Sequence, residues 1–453
     1  MVRVLIPSGA LGLGYDPVAL ERGLAAQPDI IAIDGGSTDS GPSYLGRGVS
    51  KYARSSTKLE WQGLIEARAR AGVPLVIGTA GTCGTDTTAD WLFDITREIA
   101  EELGLSLKIA VLKCSQDQSL VSHALSQGHI QPLDPAPDIS SDLIENCSNI
   151  VALAGAEQIA AAIETGADII IAGRTTDTAI IAALPLMRGL NAGAAWHGAK
   201  IGECGALCAT NPQSGVILVD FDDTGFVITP LADGAHATPH TVSAHMLYEN
   251  ANPFILHEPG GYLDVSEAHY EALDDRRVRV TGSKWVPSDT YTVKLEGARI
   301  AGYQAVIMAL VRDARYVENI REWVTDIELK CRYKAEQRMN LPPDAFEIEL
   351  RLIGLNATLG LLENNPGDPS EVGVMGIVTA PAAEQAEELA KLLNPYLLHH
   401  PLTKQEEQPT FAFPFSPAEM MRGAVYSFCL NHVMELADPM DAFQLTTHRV
   451  GKA

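Results

Sequence analysis

Five short apolar runs, separated by segments with helical periodicity, constrain the fold of this chain more than any other feature. The runs lie at residues 3–6, 30–33, 75–77, 109–112 and 169–172. Strands that are buried on both faces appear in a sequence as continuous apolar runs. Strands that alternate with helices form a parallel sheet with helices on its faces. We therefore predict an α/β fold whose N-terminal part is a doubly wound, mostly parallel sheet.

The segments between these runs carry helical patterns at residues 17–26, 57–71, 88–103, 157–165 and 178–190. In the third of them, Leu92, Ile95, Ile99 and Leu103 recur at helical spacing and predict one apolar face. A threonine, Thr87 or Thr88, is a suitable cap for the start of this helix.

Each apolar run is followed by a loop that is rich in Gly, Ser, Thr or Asp. These loops span residues 7–14, 34–41, 78–86, 114–117 and 173–178. Because the strands run in the same direction, the loops lie at one edge of the predicted sheet, where open α/β sheets bind their ligands. Glycine permits close backbone approach, and helix N-termini offer free N–H groups to anions. The pattern predicts a site for a small anionic substrate at this edge.

The loop GRTTDT at residues 173–178 contains Arg174, the one strong anion-binding side chain in that loop. A guanidinium group binds a carboxylate or phosphate through two parallel hydrogen bonds. Backbone N–H groups of residues 35–37 and 78–84 are predicted to form an oxyanion cradle. The predicted substrate-binding residues are Arg174, Gly35, Gly36, Ser37, Thr38, Thr79, Gly81, Thr82, Thr175 and Thr176.

Asp34, Asp39 and Asp177 are the predicted general bases, because crowded carboxylates raise one another's pKa. Glu203 and His197 are the second choice for acid–base groups. The same three aspartates are alternatively ligands for Mg²⁺ or Mn²⁺, since hard cations prefer oxygen donors. They are equally typical as turn and cap residues. The sequence identifies no other cofactor.

Other residue patterns support different classes of site. Cys83 lies in a Gly-rich loop before a helix, where a lowered pKa would make it the nucleophile of a hydrolase or acyl transferase. Cys204 and Cys208 form a close pair without the second pair that a structural zinc site requires. His240 and His245 do not have the HExxH spacing. The loops match neither a Walker motif nor a complete dinucleotide fingerprint.

The composition excludes several kinds of partner. The chain has 453 residues and a formal net charge of −24, from 33 basic and 57 acidic residues. This charge argues against binding of nucleic acid or of an anionic membrane surface. We find neither an apolar stretch near ~18 residues nor a signal peptide, and seven dispersed cysteines make no disulfide framework. We therefore expect a cytoplasmic protein, and a homo-oligomer from the prevalence of symmetric assemblies.

The remainder of the chain has a different pattern. Runs at 216–219 and 226–228 flank a turn and predict a hairpin, and runs at 278–282, 291–296 and 305–310 continue a β-rich middle part. The C-terminal part is predicted to be α+β, with strands at 346–352 and 372–378, a helix at 382–393, a loop at 364–370, a linker at 401–417 and a closing helix at 418–435. The predicted domains are 1–212, 213–325 and 326–453.

Four segments carry a resemblance to a known family. DIIAIDGGSTDSGPSYLG (29–46), GADIIIAGRTTDTAIIAALPLMRG (166–189), AKIGECGA (199–206) and VKLEGARIAGYQ (293–304) resemble the acyclic terpene utilisation family. The resemblance covers residues 2–311, and the run at 418–435 is similar to extensions in one branch of that family. It implies an α/β fold with clustered polar loops and an association with degradation of branched terpenoid acids as coenzyme A esters.

Three hypotheses for function follow. The first is an enzyme that acts on a small carboxylate or acyl-CoA-type substrate, as a lyase, hydratase or isomerase. The second is a hydrolase or acyl transferase that uses Cys83. The third is a non-catalytic subunit or scaffold of a catabolic complex, for which the apolar C-terminal run would supply a docking surface.

Overall fold

The computed structural model describes residues 1–365 and 367–451 of the chain. They form two units. Unit 1 comprises Met1–Arg299 and Phe428–Ala453, and unit 2 comprises Ile300–Ser427. The predicted domain boundary after residue 212 falls inside unit 1, and the boundary after residue 325 falls within a helix of unit 2. Whether residues 1–212, 213–325 and 326–453 fold independently stays a prediction.

Helices and strands alternate along much of unit 1, and the shorter strands of the middle part follow. The strands are β1 Val2–Ile6, β2 Ile30–Asp34, β3 Leu75–Gly78, β4 Leu107–Lys113, β5 Ile130–Pro132, β6 Cys147–Ala152, β7 Ile169–Ala172, β8 Ile217–Phe221, β9 Gly225–Pro230, β10 Ile255–Glu258, β11 Gly261–Asp264, β12 His269–Ala272, β13 Val278–Thr281, β14 Lys284–Pro287, β15 Tyr291–Val311, β16 Glu347–Ile353, β17 Val372–Ala380, β18 Glu419–Leu436 and β19 Gln444–Val450. The helices are α1 Pro17–Ala25, α2 Ser43–Arg47, α3 Arg54–Ala71, α4 Asp86–Leu103, α5 Gln118–Ser126, α6 Ser141–Glu145, α7 Ala156–Glu164, α8 Ala179–Met187, α9 Ala192–Gly202, α10 Pro239–Ala244, α11 Ala314–Glu318, α12 Ile320–Met339 and α13 Ala383–His399.

The five apolar runs become five adjacent parallel strands in the order β1-β2-β3-β7-β4. This confirms the predicted parallel sheet. Antiparallel strands extend it to ten, with β8, β9, β13 and β12 on one side and β19 on the other. Four strands of the predicted β-rich middle part therefore continue the N-terminal sheet, and β10, β11 and β14 form a separate three-stranded sheet.

The sheet is buried on both faces because successive side chains of a strand point to opposite sides. In β2, Ile30 and Ala32 belong to one apolar core, and Ile31 and Ile33 belong to the other. This explains the continuous apolar runs, since both sides of each central strand face a layer of helices. The parallel strands consequently all end at one protected edge.

Helix α4 follows its predicted pattern with two differences. Leu92, Ile95 and Ile99 are buried, but Leu103 is 37% exposed because the helix ends there at Gly104. The N-cap is Thr85, whose hydroxyl accepts a hydrogen bond from the backbone N–H of Thr88, so the predicted caps Thr87 and Thr88 are wrong. The cap precedes the apolar periodicity and belongs to the polar loop after β3.

Unit 2 contains β16, β17 and residues 300–311 of β15 in an antiparallel sheet, with Tyr303 opposite Ala380. Helices α12 and α13 pack on it, with Trp323 and Leu389 in the core. The two predicted strands at 291–296 and 305–310 are one continuous strand, β15, whose earlier part belongs to unit 1 and pairs with β6. The predicted loop at 364–370 includes Pro366, which lies outside the described residues.

The closing helix predicted at 418–435 is wrong, because this segment is strand β18. Its residues Leu430, His432 and Met434 are buried alternately, and its later part pairs with β5. Methionine, leucine and glutamate favoured a helix, but tertiary pairing overrides such propensities. Gly423, at φ +77°, has a conformation that a regular helix does not contain. None of the helices in the described part of the chain has the length and apolar character to cross a membrane.

Candidate functional site

A cavity of about 520 Å³ lies in unit 1, where the loops after the parallel strands meet. Its wall contains residues from the loops that follow β1, β2, β3 and β7, together with residues that follow α9 and α10. The lining side chains with ionisable or hydroxyl groups are Ser8, Asp34, Ser37, Ser40, Lys51, Tyr52, Thr82, Asp177, Cys204, Tyr248 and Glu249. Carboxylates outnumber cations in this lining, so the wall is acidic.

Asp34 ends β2 and is only 5% exposed at the wall of this cavity. Its carboxylate accepts hydrogen bonds from the backbone N–H groups of Gly35, at 2.8 Å, and Gly36, at 3.1 Å. Two of the N–H groups predicted to hold a substrate therefore hold Asp34. Burial, and then the charge of Asp177, raise the pKa of Asp34 well above its usual value, and Arg174 opposes this.

Asp177 lines the same cavity from the loop after β7. Its carboxylate lies 3.6 Å from the Arg174 guanidinium. Burial raises the pKa of Asp177, although the Arg174 charge works in the opposite direction. Because the ionisation of Asp34 and that of Asp177 disfavour each other, the pair holds a proton at a pH where an exposed aspartate has lost it.

Arg174 lies below the cavity wall and is 6% exposed. Its Nε and Nη2 atoms donate to the two carboxylate oxygens of Glu296, at 3.0 and 3.2 Å. Its Nη1 donates to the hydroxyl of Thr79, at 3.1 Å, and to the carbonyl of Thr175, at 3.2 Å. Glu296 is also buried, and the hydroxyl of Thr38 donates to it at 3.0 Å. The Arg174–Glu296 pair thus joins the loops after β2, β3 and β7 to strand β15.

The ion pair with Arg174 determines the ionisation of Glu296. Burial alone would raise the pKa of this carboxyl, but the Arg174 charge and its hydrogen bonds lower it to about 2. The same interaction raises the pKa of Arg174 further above its usual value, although burial opposes this. Both groups are charged at neutral pH, so their attraction fixes the position of the loop after β7.

The loop after β3 has a strained backbone around the cavity. Thr79, at φ +47°, and Thr82, at φ +72°, lie in the left-handed region that β-branched residues rarely adopt. Gly81, at φ +67°, packs so closely that an added Cβ would lie 2.7 Å from Thr88. Such strain is common at binding sites. The hydroxyl of Thr82 lies at the cavity wall and accepts a hydrogen bond from the N–H of Lys51, at 3.1 Å.

The other predicted binding residues lie around this loop cluster. Ser37 lines the cavity and donates from its hydroxyl to Asp39, at 2.6 Å, while Asp39 is exposed. The Thr175 hydroxyl is buried without a hydrogen-bond partner among the described residues. Thr176 faces a different cavity and its hydroxyl lies 3.1 Å from that of Thr178. Asp34 and Asp177 therefore line the cavity together, whereas Asp39 is exposed and is not part of the lining.

This different cavity of about 480 Å³ has a largely apolar wall that includes Leu133, Leu153 and Tyr262. Glu258 lies in its wall and accepts a hydrogen bond from the Thr178 hydroxyl at 2.5 Å. Burial raises the pKa of Glu258 to about 7, against the lowering effect of the Thr178 hydroxyl.

A second pair of ionisable groups, Lys200 and Glu203, lies at the end of helix α9. The Lys200 ammonium donates to Glu203 and to the carbonyl of Tyr248, the latter at 2.8 Å, and the side chains of Lys200 and Glu203 are both buried. Burial raises the pKa of Glu203 to about 8, although Lys200 opposes this. Cys204 follows Glu203 and lines the cavity. His245 lies close to both, and burial lowers its pKa to about 4.

Cys83 and His197 are fully buried away from this wall. Cys83 packs in an apolar cluster with Leu45 and Val151, and its sulfur lies 3.8 Å from the hydroxyl of Thr85. His197 is held between Ser283 and Tyr270, at 2.7 and 3.2 Å, and burial lowers its pKa to about 3.

Sequence reasoning missed several residues at the site. Glu296 and Lys200 were not singled out, although both lie within segments that carry the family resemblance. Glu249 and Tyr248 had no recognisable motif. His245 was considered only with His240, whereas its neighbours in the structure are Glu203 and Cys204. The missing information was proximity between residues far apart in the chain.

The fold and the site define an α/β protein with an acidic cavity at the carboxyl ends of its parallel strands. Residues 47–418 match the family model described as acyclic terpene utilisation family protein AtuA. This match covers well over half of the chain, and the protein belongs to that family. The match confirms the resemblance. It extends further towards the C-terminus than residue 311, and it begins after the segment 29–46. Comparisons with curated proteins and with solved structures give no match.

Proposed function

We propose that unit 1 is an acid–base enzyme in which Asp34 and Asp177 move a proton to and from a small carboxylate or acyl-CoA-type substrate. The observation that carries this proposal is the buried Asp34 carboxyl at the cavity wall, whose pKa lies well above its usual value beside Asp177. A buried carboxyl with a raised pKa beside a second carboxyl supplies a candidate general acid and a candidate general base. The reaction class is that of a lyase, hydratase or isomerase.

In the proposed reaction the ionised carboxylate of the pair removes a proton from the carbon next to the substrate carbonyl. The protonated carboxyl returns a proton at the same or a neighbouring carbon, and the pair ends with one proton as it began. Arg174 is a positioning residue in this scheme, because its hydrogen bonds are used by Glu296, Thr79 and Thr175. Direct binding of substrate by Arg174 would require displacement of these partners.

Lys51 is the proposed contact for the negative group of the substrate. It is the one cationic side chain among the described residues that line the 520 Å³ cavity, and its ammonium group donates to Ser40 at 2.7 Å. The family name supports a role in terpene catabolism. We accordingly propose a branched carboxylic acid or its thioester as the substrate.

Exchange of substrate hydrogen with solvent tests this proposal. The purified chain is incubated in D₂O with a panel of branched, saturated and unsaturated acyl-CoA esters and free acids, and deuterium uptake is measured by mass spectrometry. We expect uptake next to the carbonyl for at least one member. Asp34→Asn and Asp177→Asn each slow it by about 100-fold or more. The matched control is Asp142→Asn, an exposed aspartate in α6.

Uptake that continues unchanged in Asp34→Asn would contradict the proposal. The variant Cys83→Ser distinguishes this proposal from a hydrolase or acyl transferase that uses Cys83. The variant retains full activity if the carboxyl pair performs the chemistry. Turnover by the purified chain alone excludes a purely scaffolding role. A homo-oligomer stays a prediction, which sedimentation analysis of the same sample tests.

A further inference from the structure

We propose that Glu203, Cys204 and His245 form a binding site for one transition-metal ion, with Zn²⁺ as the best match. One ligand atom from each of the three side chains lies within 4.8 Å of the other two. In the described part of the chain, this is the one group of three or more such side chains that meets this distance. The inference goes beyond the proposed function, since it holds whether or not Asp34 and Asp177 are catalytic.

Two chain segments bring these ligands together. Glu203 and Cys204 directly follow helix α9, whose last residue is Gly202. His245 directly follows helix α10 and begins a short 3₁₀ turn, His245–Leu247. Both ligand-bearing positions lie in unit 1, and both are fixed by the ends of helices. Ligands on such rigid supports need little rearrangement when a metal binds.

His245 provides the independent evidence that the group is a site. Its side chain is 5% exposed, and its Nε2 atom is buried without a hydrogen-bond partner among the described residues. Buried polar atoms in folded proteins almost always have a partner, so an unpaired ring nitrogen needs an explanation. The ring stacks on Tyr248, with a centroid distance of 5.3 Å and an angle of 9°, which restricts its orientation. A metal ion supplies the missing partner.

Lys200 is a partner that Glu203 already has within the protein. Its ammonium group donates to Oε1 of Glu203 and to the carbonyl of Tyr248. An ionised carboxylate has two oxygens and about four acceptor positions, so Oε2 stays available to a metal. Hydrogen bonds to ligating carboxylates commonly orient them. Lys200 therefore fits the role of a group that orients Glu203. Its hydrogen bonds to Glu203 and to the carbonyl of Tyr248 leave the Nε2 atom of His245 without a partner among the described residues.

The donor set selects the metal. A thiolate, an imidazole and a carboxylate suit Zn²⁺ better than Mg²⁺ or Mn²⁺, which prefer oxygen ligands. Three protein ligands leave one position of a tetrahedral ion for water or substrate. Cys204 lines the 520 Å³ cavity, so we place the open position on that side. Binding converts the Cys204 thiol to a thiolate and the Glu203 carboxyl to a carboxylate, and both protons pass to solvent.

A bound divalent cation would also change the charge of the cavity. Asp34, Asp177 and Glu249 line it together with the single cation Lys51 among the described residues. A metal ion at Cys204 would offset these carboxylates and provide a direct contact for an anionic or carbonyl oxygen. This is a different source of anion recognition from the Arg174 contact that the sequence suggested.

Cobalt substitution in the full chain tests the site. The purified protein is treated with a chelator, titrated with Co²⁺, and examined for the absorption band that arises when a thiolate binds cobalt. Zn²⁺ stoichiometry is measured on the same sample by elemental analysis. We expect one metal ion per chain and a thiolate–cobalt band that Zn²⁺ abolishes by displacement. Cys204→Ala and His245→Ala remove the band.

Cys208→Ala is the matched control, because this cysteine is buried four residues further along and lies outside the group. It is expected to retain the band. Circular dichroism checks that each variant is folded. Wild-type protein that binds no Zn²⁺ or Co²⁺, or a band that survives in Cys204→Ala, would overturn the proposal. If His245→Ala fails to fold, the wild-type titration and the Cys204 and Cys208 variants still decide the question.

Discussion

Removal of the Glu296 charge is the most direct test of the loop arrangement in this protein. Glu296 and Arg174 have side chains that are 8% and 7% exposed, and two hydrogen bonds join them. The variant Glu296→Gln keeps the size of the side chain but removes the carboxylate that accepts both hydrogen bonds, and Asp177, at 3.6 Å, is then the carboxylate that still faces the guanidinium. Breaking a buried ion pair by removal of one partner is strongly destabilising, typically by about 3 to 5 kcal/mol.

The pKa of Glu296 gives a second value for the contribution of this ion pair to stability. This pKa falls from the usual 4.5 to about 2. At about 1.4 kcal/mol for each tenfold change in acidity, this corresponds to about 3 kcal/mol, which agrees with the range for a broken buried pair. We therefore expect Glu296→Gln to lower the free energy of unfolding of unit 1 by about 3 kcal/mol at neutral pH.

Hydrogen exchange measures this effect in unit 1 itself. The amides of β7, Ile169–Ala172, lie in the central parallel sheet directly before Arg174, so their protection reports the opening of this region. Glu98→Gln is the control, since it breaks an ion pair with Arg54 at the surface. It should leave the protection of β7 unchanged.

The stability difference between wild type and Glu296→Gln should depend on pH in one direction. A carboxyl with a lowered folded-state pKa stabilises the protein above its unfolded pKa and loses that contribution as it is protonated. The difference between wild type and Glu296→Gln should be full above about pH 4.5 and should shrink as the pH falls towards about 2. A loss smaller than about 1 kcal/mol at neutral pH would refute the conclusion that this ion pair holds the loop.

Three further perturbations test other parts of the site. The pKa of Glu258 is raised from the usual 4.5 to about 7, so ionisation of this carboxyl destabilises the folded protein. As the pH rises from 5 to 8, wild type should lose up to about 3 kcal/mol of unfolding free energy relative to Glu258→Gln, measured by urea unfolding. Gly35→Ala would place a Cβ 2.3 Å from the carbonyl of Thr79 and should lower the melting temperature more than Gly14→Ala. At Gly14 the Cβ meets nothing within 4 Å, and the cost comes from its φ of +79° alone. Added Zn²⁺ should raise the melting temperature of wild type, and His245→Ala should lose this response.

The central sheet was predictable because its signal is local. Strands β2 and β7 are buried on both faces, so their residues are apolar up to Asp34, the last residue of β2. The loops were predictable for the same reason, since a chain that turns at the edge of a sheet requires Gly, Ser, Thr and Asp. The prediction for β18 was wrong, because its composition favours a helix and only its place in a sheet between β15 and β5 makes it a strand.

The candidate site was only partly predictable. Asp34 is the last residue of β2 and Asp177 lies in the loop after β7, so their convergence at one edge could be expected from the order of the elements. The partner of Arg174 could not be predicted in this way, because Glu296 lies 122 residues further along the chain. An arginine in a polar loop is typical of anion binding, and the sequence contains nothing that distinguishes an internal carboxylate from a substrate.

The sequence by itself determined the strands of the parallel sheet, the positions of its polar loops and the family to which the chain belongs. These properties depend on local periodicity and on short motifs. Tertiary structure decided which ionisable groups lie together: Arg174 with Glu296, Asp34 with Asp177, and Glu203 and Cys204 with His245. The physical reason is that removal from water raises or lowers each pKa and leaves polar atoms in need of partners. Both effects depend on distances between segments that only the folded chain brings together.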